Sequence, residues 1–245
     1  MKNQTLIRLH SVYCNYCLIA IALIFTSCGS IYYAPNQPHL PMIKEKGITK
    51  VNVQLAAGEY SSTMDINAVH SVTDHLGLMG NFASYYLDGN GMNTIDVGFG
   101  YYKPVSQHAG FEIYPGIGYG KLSVIDSWSG EYTYEVKSFR TFIQPDIFYE
   151  TEHFGAALGL RVLYFKYQSH FQSYIGETPS NLMLEPTGCI EAGWEHFKFK
   201  LQATYSSKVN AGMLSYDPFM ISFGFNLKFG NRHAYSLKQN SINPD

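Results

Sequence analysis

The chain is poor in charged residues, which make up 15% of its 245 positions. Its 17 basic and 19 acidic side chains give a formal net charge of −2, and no run of Lys and Arg is interleaved with aromatic residues. Proteins that bind polyanions need such a basic patch to neutralise phosphate groups. The sequence therefore predicts no nucleic-acid partner.

Cysteine is also scarce, with four residues in all. Cys14 and Cys17 lie in a stretch that we expect to be removed on export, and Cys28 lies at its end, so Cys189 has no partner for an internal disulfide. The chain has no Cys/His spacing of the zinc-binding kind and neither an HExxH nor a nucleophile-elbow motif. The sequence predicts no metal site, no cofactor and no catalytic site.

Long apolar runs are missing beyond the N-terminus, where residues 18–25 form a run too short to cross a bilayer as a helix. The basic Lys2 and Arg8 precede this run, an order typical of a signal peptide, which we assign to residues 1–27. The following Ser27-Cys28-Gly29 resembles a bacterial lipobox, and this resemblance implies cleavage before Cys28 and diacylation of Cys28. A conventional secretory cleavage beside an unrelated cysteine is the alternative.

The chain is instead rich in alternating patterns, the clearest of which lies in residues 219–229. Apolar side chains occupy every second position there, and small or polar residues fill the gaps. Because successive side chains of a strand point to opposite faces, one face of this segment is purely apolar. Such a face would meet a second sheet in a soluble sandwich, or lipid in an outer-membrane barrel.

Ten alternating segments follow one another along the chain. Their apolar faces start at Val51, Met64, Leu76, Ile95, Phe111, Phe139, Phe154, Leu182, Phe197 and Phe219. An even number of such segments favours a closed barrel, since lipid offers no partner to an open sheet edge. We predict an all-β, closed up-and-down antiparallel transmembrane barrel of about ten strands over residues 48–230. Residues 28–47 are expected to form an extended periplasmic tether, and 231–245 a polar tail.

The connections between these segments differ in length on the two sides of the predicted barrel. Tight connections lie around residues 74, 104–107, 152 and 195, whereas those at 59–62, 87–92, 124–134, 168–181 and 206–217 are longer. Outer-membrane barrels have short periplasmic turns and longer extracellular loops. This pattern predicts that both termini and the lipid anchor lie on the periplasmic side of the outer membrane.

The four tight turns share a histidine that follows an acidic or amide residue: His75, His108, His153 and His196. Successive turns around a ten-stranded rim are separated by roughly 12 Å, too far for their imidazoles to share one metal ion. We interpret the repeat as a hairpin unit that restarts after each turn.

The inward parity of the segments collects charged residues. They are Asp65, Asp96, Glu112, Arg140, Asp146, Arg161, Glu185, Glu191 and Lys200. A ten-stranded barrel is too narrow for a wide channel, so we interpret these residues as a charge network filling the lumen, with water or tyrosine hydroxyls meeting the surplus of acids. The alternative is that paired carboxylates such as Glu185 and Glu191 act as acid–base catalysts. Cys189 is expected to be a buried, inert thiol.

Three prolines fall on the lipid-facing parity inside predicted strands: Pro115, Pro145 and Pro186. Proline removes a donor from the hydrogen-bond ladder. Each proline therefore marks either a bulge near a rim or a strand that ends earlier than its pattern.

Four short motifs resemble outer-membrane β-barrel lipoproteins of the Bacteroidetes type. They are Ser27-Cys28, Tyr33-Ala-Pro-Asn36, Glu45-Lys46-Gly47 and the stretch from Ser71 to Gly77. The resemblance implies an outer-membrane location, and outer-membrane lipid as the immediate partner. A structural or surface-binding role is the function that we expect. The alternatives are a rim-acting hydrolase using loop residues (Asp88, Asp126, His170 and Glu177) and a narrow passive pore.

Overall fold

In the computed structural model the chain forms a closed antiparallel barrel, and residues 33–87, 90–125, 133–169, 180–210, 214 and 216–230 are described. The strands are β1 (Thr49–Gly58), β2 (Ser61–Ser71), β3 (Leu76–Leu87), β4 (Asn90–Pro104), β5 (Ala109–Ile125), β6 (Thr133–Glu150), β7 (Phe154–Ser169), β8 (Ser180–Trp194), β9 (Phe197–Tyr205), β10 (Ser207–Lys208) and β11 (Phe219–Phe229). Neighbours in the chain pair with each other, and β11 closes the ring between β9 and β1. The two residues of β10 continue the register of β9 against β8, so ten strands span the wall. The predicted fold is confirmed.

The two faces of the sheet differ as the alternation predicts. Outward side chains such as Leu55, Phe99 and Phe223 are 60–66% exposed, whereas the inward residues between them are buried. A continuous exposed apolar belt of this size is typical of a lipid-facing surface. A single closed sheet has no second sheet to cover that belt, which excludes the soluble sandwich. Among the described residues, no helix is long and apolar enough to cross a membrane.

The wall is higher on one side than on the other. Strands β5 to β8 have 15 to 18 residues, but β1, β2 and β11 have only 10 or 11.

The strands are also staggered around the ring. A path that starts at Val51 and passes from each residue to its partner on the next strand, through Ala68 and Gly80, returns to the register of β1 at position 63, a displacement of twelve residues. This displacement corresponds to strands tilted by about 40°.

The connections define two ends, which we call the turn end and the loop end. At the turn end the connections are 72–75, 105–108, 151–153 and 195–196; at the loop end they are 59–60, 88–89, 126–132, 170–179 and 209–218. The prediction of five longer loops is wrong for 59–62 and 87–92, because β2 begins at Ser61 and β4 at Asn90. The other three loop-end connections are long, as predicted.

The three prolines mark neither bulges nor strand ends. Each lies inside a long strand, and pairing on the side that faces the missing N–H lapses for two residues. Beside Pro115, for example, the β4–β5 pairs stop at Gly98↔Gly116 and resume at Tyr101↔Ile113 in the same register. The strands therefore tolerate the lost donor without an inserted residue.

Candidate functional site

The lumen of the barrel is filled by residues 33–43, which we call the luminal segment. Every residue from 33 to 43 is buried, and Ala34, Asn36, Gln37, Leu40 and Ile43 have no exposed surface. The prediction that residues 28–47 form a periplasmic tether is therefore wrong for 33–43. The segment lacks strand periodicity because it pairs with side chains of the wall and not with a neighbouring strand. Residues 28–32 lie outside the described part of the chain.

The luminal segment has a composition suited to a polar lumen. It contains no Asp, Glu, Lys or Arg, and its prolines recur every third residue, at 35, 38 and 41. Proline at this spacing favours the extended polyproline conformation, in which the backbone makes no internal hydrogen bonds. Three backbone donors are absent, so fewer N–H groups need partners in the lumen.

Side chains of the wall form hydrogen bonds with the remaining backbone N–H and C=O groups of the segment. Carboxylates accept from its N–H groups: Gln37 N donates to Asp65 at 3.1 Å, and Met42 N and Ile43 N donate to the two oxygens of Glu112 at 3.2 and 2.5 Å. Its carbonyls accept from wall donors. These bonds are Arg161 to Asn36 O (2.9 Å), Gln202 to Pro38 O (3.0 Å), Gln144 to His39 O (2.6 Å) and Lys50 to Met42 O (2.9 Å).

Met42 shows how the segment holds Glu112. Its φ of 56° lies in the left-handed region, which a side chain other than glycine adopts at a cost of roughly 1–3 kcal/mol. This conformation turns two successive N–H groups toward one carboxylate, the arrangement called a nest. The charge-assisted bonds to Glu112 offset the strain.

Arginine–carboxylate pairs dominate the middle of the lumen. Arg140 donates to both oxygens of Asp96, at 2.6 and 2.8 Å, and Asn36 Nδ2 of the luminal segment adds a bond of 2.8 Å to the same carboxylate. Arg161 pairs with Glu185, its Nε lying 2.6 Å from Oε2.

The carboxylate of Glu185 is also a binding point for the luminal segment. The Tyr33 hydroxyl donates to Glu185, and Ser206 donates to it at 2.9 Å. The carboxylates of both arginine–carboxylate pairs thus also bind the luminal segment, Asp96 through Asn36 and Glu185 through Tyr33.

All eight residues assigned to the lumen charge network lie inside the barrel and are buried. They are Asp96, Glu112, Arg140, Asp146, Arg161, Glu185, Glu191 and Lys200. Glu112 and Asp146 face each other across β5 and β6, and Lys200 lies 3.8 Å from Glu191, which also accepts from Asn226. Glu185 and Glu191 are engaged by different cations, so the structure does not bring them together as a catalytic pair.

A second charge cluster, which the sequence pattern did not predict, lies at the turn end. Glu150 lies 2.8 Å from Lys50 and 3.1 Å from Lys198, and all three are buried. Lys50 and Glu150 lie one residue beyond the apolar faces of their strands, and extending the parity by that one residue would have turned them inward. Lys198, which lies between Phe197 and Phe199, already had the inward parity. Lys44 donates to the carbonyl of Glu150 at 3.1 Å, and burial lowers the pKa of this lysine.

The four turn histidines have a shared structural role. Each accepts, at its backbone oxygen, a hydrogen bond from the strand beyond its own hairpin: Tyr102 N to His75, Glu150 N to His108, Gly193 N to His153 and Lys228 N to His196, at 2.6–3.0 Å. Each Nδ1 lies 3.0–3.4 Å from the carbonyl oxygen of the same residue on that strand. The repeat thus links each hairpin to the next around the turn end.

The remaining candidates have no site in the described residues. Cys189 is a buried free thiol, as predicted. No three His, Cys, Asp or Glu side chains of the described ranges gather as a metal ion would require. The lipidation candidate Cys28 and the loop residues Asp88, Asp126, His170 and Glu177 lie outside those ranges.

Together, the lipid-facing belt, the closed ten-stranded sheet and the polar lumen define an outer-membrane β-barrel, here with its lumen filled by its own chain. No protein-family model matches the sequence, and no curated protein matches it.

Solved structures to which the chain is similar are outer-membrane barrels. The N-terminal β-barrel domain of Pseudomonas aeruginosa OprF is 10% identical, covering 75% of this chain and 98% of that one, with a TM-score of 0.39. The translocator domain of the autotransporter NalP from Neisseria meningitidis is 11% identical, covering 90% and 96%, with a TM-score of 0.43. The KdgM porin, solved with disordered oligogalacturonate, is 11% identical, covering 74% and 99%, with a TM-score of 0.38.

Proposed function

We propose that the protein is an exported, lipid-anchored outer-membrane barrel that is closed by its own N-terminal segment and has a structural or surface-binding role. The observation that carries this proposal is the set of contacts between the luminal segment and the wall. Side chains from eight strands, β1, β2 and β4 to β9, bond to that segment.

The filled lumen argues against a passive pore. A solute crossing the barrel would have to displace the segment from its bonds to Asp65, Asp96, Glu112 and Glu185. A hydrogen bond to a charged group contributes about 1.5–3 kcal/mol, and these bonds would have to break together. The segment is therefore a fixed part of the barrel and not a loosely held gate.

The burial of the luminal acids, and their pairing with cations, argue against catalysis inside the barrel. A general acid or base needs access to a substrate, whereas Glu185 and Glu191 are buried against cations. The lipid anchor is supported by the sequence, through the signal peptide at 1–27 and the lipobox resemblance at Cys28. Incorporation of radiolabelled palmitate, lost in Cys28→Ala, tests this part of the proposal.

Conductance across a planar lipid bilayer tests the closed lumen. The wild-type barrel is expected to insert without current steps. A variant in which residues 33–43 are replaced by an equally long Gly/Ser sequence is expected to open a conducting path. That sequence lacks the Tyr33 and Asn36 side chains that bond to Glu185 and Asp96, and it lacks the prolines that hold the segment extended. A variant lacking residues 231–245 serves as the control and is expected to stay silent. Equal current steps in the wild type and the Gly/Ser variant would contradict a closed lumen.

A further inference from the structure

We infer that the N-terminal anchor of this protein lies at the loop end of the barrel, on the outer face of the outer membrane. The chain threads through its own lumen before it forms the first strand. The inference concerns the path of the described residues 33–48, and it rests on the proposed function for the acylation of Cys28.

The contacts of the luminal segment fix its direction. Ile48 precedes β1 at the turn end, where its backbone N and O bond to Ser71. Met42 lies close to that end, because Glu112, its partner, is the fourth residue of β5. Going backward along the chain, Asn36 meets Asp96 near the middle of β4.

Tyr33 completes the path near the opposite rim. Its ring stacks on Phe165 of the loop-end half of β7, with ring centroids 4.8 Å apart. Its carbonyl accepts from Asp217 N at 2.9 Å, and it forms a parallel bridge with Tyr216, which lies in the connection from β10 to β11. Tyr33, the first residue that the structure describes, therefore lies at the loop end of the lumen.

The exit lies on the low side of the wall. The carboxylate of Asp217 accepts from Glu59 N, Tyr60 N and the Ser61 hydroxyl, which ties the exit to the β1–β2 connection. Strands β5 and β6 exceed β1 by seven or eight residues, so the opposite rim rises roughly 15–20 Å higher. Cys28 lies five positions before Tyr33, and an extended chain spans at most about 17 Å over five positions. That reach is enough to cross the low rim toward the outer leaflet.

This route differs from the one that the strand order predicts. The start of β1 at the turn end, taken alone, predicts a periplasmic anchor. An anchor on that side would require the segment to leave the lumen, since five residues cannot run back along the wall. The outer leaflet thus becomes the expected position of the acyl chains, which would display the anchor and the loops on the same surface.

Accessibility on intact cells tests the inference. A short epitope tag is inserted between Ser30 and Ile31 of the full chain, within 170–179 as a loop-end reference, or after Gln239 as a turn-end reference. We expect an antibody that does not cross the membrane to bind the Ser30 tag as strongly as the loop tag and to leave the tail tag unbound. Heat-modifiable migration confirms that each variant is folded. If the Ser30 tag behaves like the tail tag and not like the loop tag, the inference is overturned.

A cysteine reporter gives the same information without an insertion. Ser30→Cys in the full chain adds a thiol, while Cys189 is buried and acylation removes the thiol of Cys28. We expect a membrane-impermeant maleimide to label this variant on intact cells and not the parent. Labelling only after outer-membrane permeabilisation would overturn the inference. Labelling of the parent at Cys28 on intact cells would refute acylation but support the threaded path, so the two failures are distinguishable.

Discussion

Gly118 offers a sharp test of the charged lumen, because it lies between the two members of the Arg140–Asp96 pair. Its neighbours across β4 and β6 are Asp96 and Arg140. A Cβ atom added at Gly118 would lie 1.8 Å from Asp96 Oδ1 and 2.7 Å from Arg140 Nε. Both distances are shorter than any van der Waals contact, so Gly118→Ala must separate the pair.

The expected cost follows from the burial of the two charges, which are 2% and 3% exposed. Uncoupling a buried ion pair costs about 3–5 kcal/mol, because each charge stays buried without its partner. At the usual slope of about 1–3 kcal/mol per molar urea, the unfolding midpoint should fall by at least about 1 M. Urea titration of the refolded barrel in detergent, followed by heat-modifiable migration, measures this shift.

Gly80→Ala is the matched control. Gly80 also lies in the middle of a strand, but no atom lies within 4 Å of its added Cβ. Its replacement should change the midpoint little. A double-mutant cycle then assigns the mechanism: in an Asp96→Asn, Arg140→Met background, Gly118→Ala should cost much less. The reasoning is refuted if Gly118→Ala and Gly80→Ala have equal effects, or if the cycle shows no coupling.

Two further predictions concern the outer and inner faces of the wall. Phe223 is 60% exposed on the lipid-facing side, so Phe223→Arg should cost about 2–4 kcal/mol near the midplane while Phe223→Ala stays mild; equal damage in refolding assays would mean that Phe223 packs against protein. In the Gly/Ser variant of residues 33–43, the described strands carry seven buried acids against five buried bases and should make the open path cation-selective. The acids are Asp65, Asp96, Glu112, Asp146, Glu150, Glu185 and Glu191, and the bases are Lys50, Arg140, Arg161, Lys198 and Lys200. The reversal potential in a KCl gradient measures this preference, and anion selectivity would contradict it.

The wall could be predicted from sequence because lipid imposes a simple rule on it. Where a strand crosses the apolar layer, every second residue must be apolar, and that alternation identifies both the strand and its inward face. The eight network residues were assigned to the lumen in this way. The rule fails where strands leave the layer: the outward residues Gly91 and Asn93 of β4 meet no lipid requirement, so the strand was read as a loop.

The luminal segment could not be predicted by the same rule, because its partners are distant in sequence and belong to many strands. Asn36 bonds to a residue 60 positions away, and Gln37 to residues 28 and 167 positions away. Contacts between residues so distant in sequence leave no local periodicity from which they could be predicted. The surplus of inward carboxylates was nevertheless a visible signal, since buried acids without cations require other donors.

The structure supplies those donors from the backbone of the segment itself, and this explains why the segment is neutral. A charged side chain in residues 33–43 would need its own counter-ion in a lumen where Arg140 and Arg161 are already paired. Backbone N–H groups instead reach Asp65 and Glu112 without adding charge, and prolines limit the donors that are left over. The acidic wall and the uncharged, proline-spaced segment are therefore complementary, and the charge balance of either is understandable only when both are considered together.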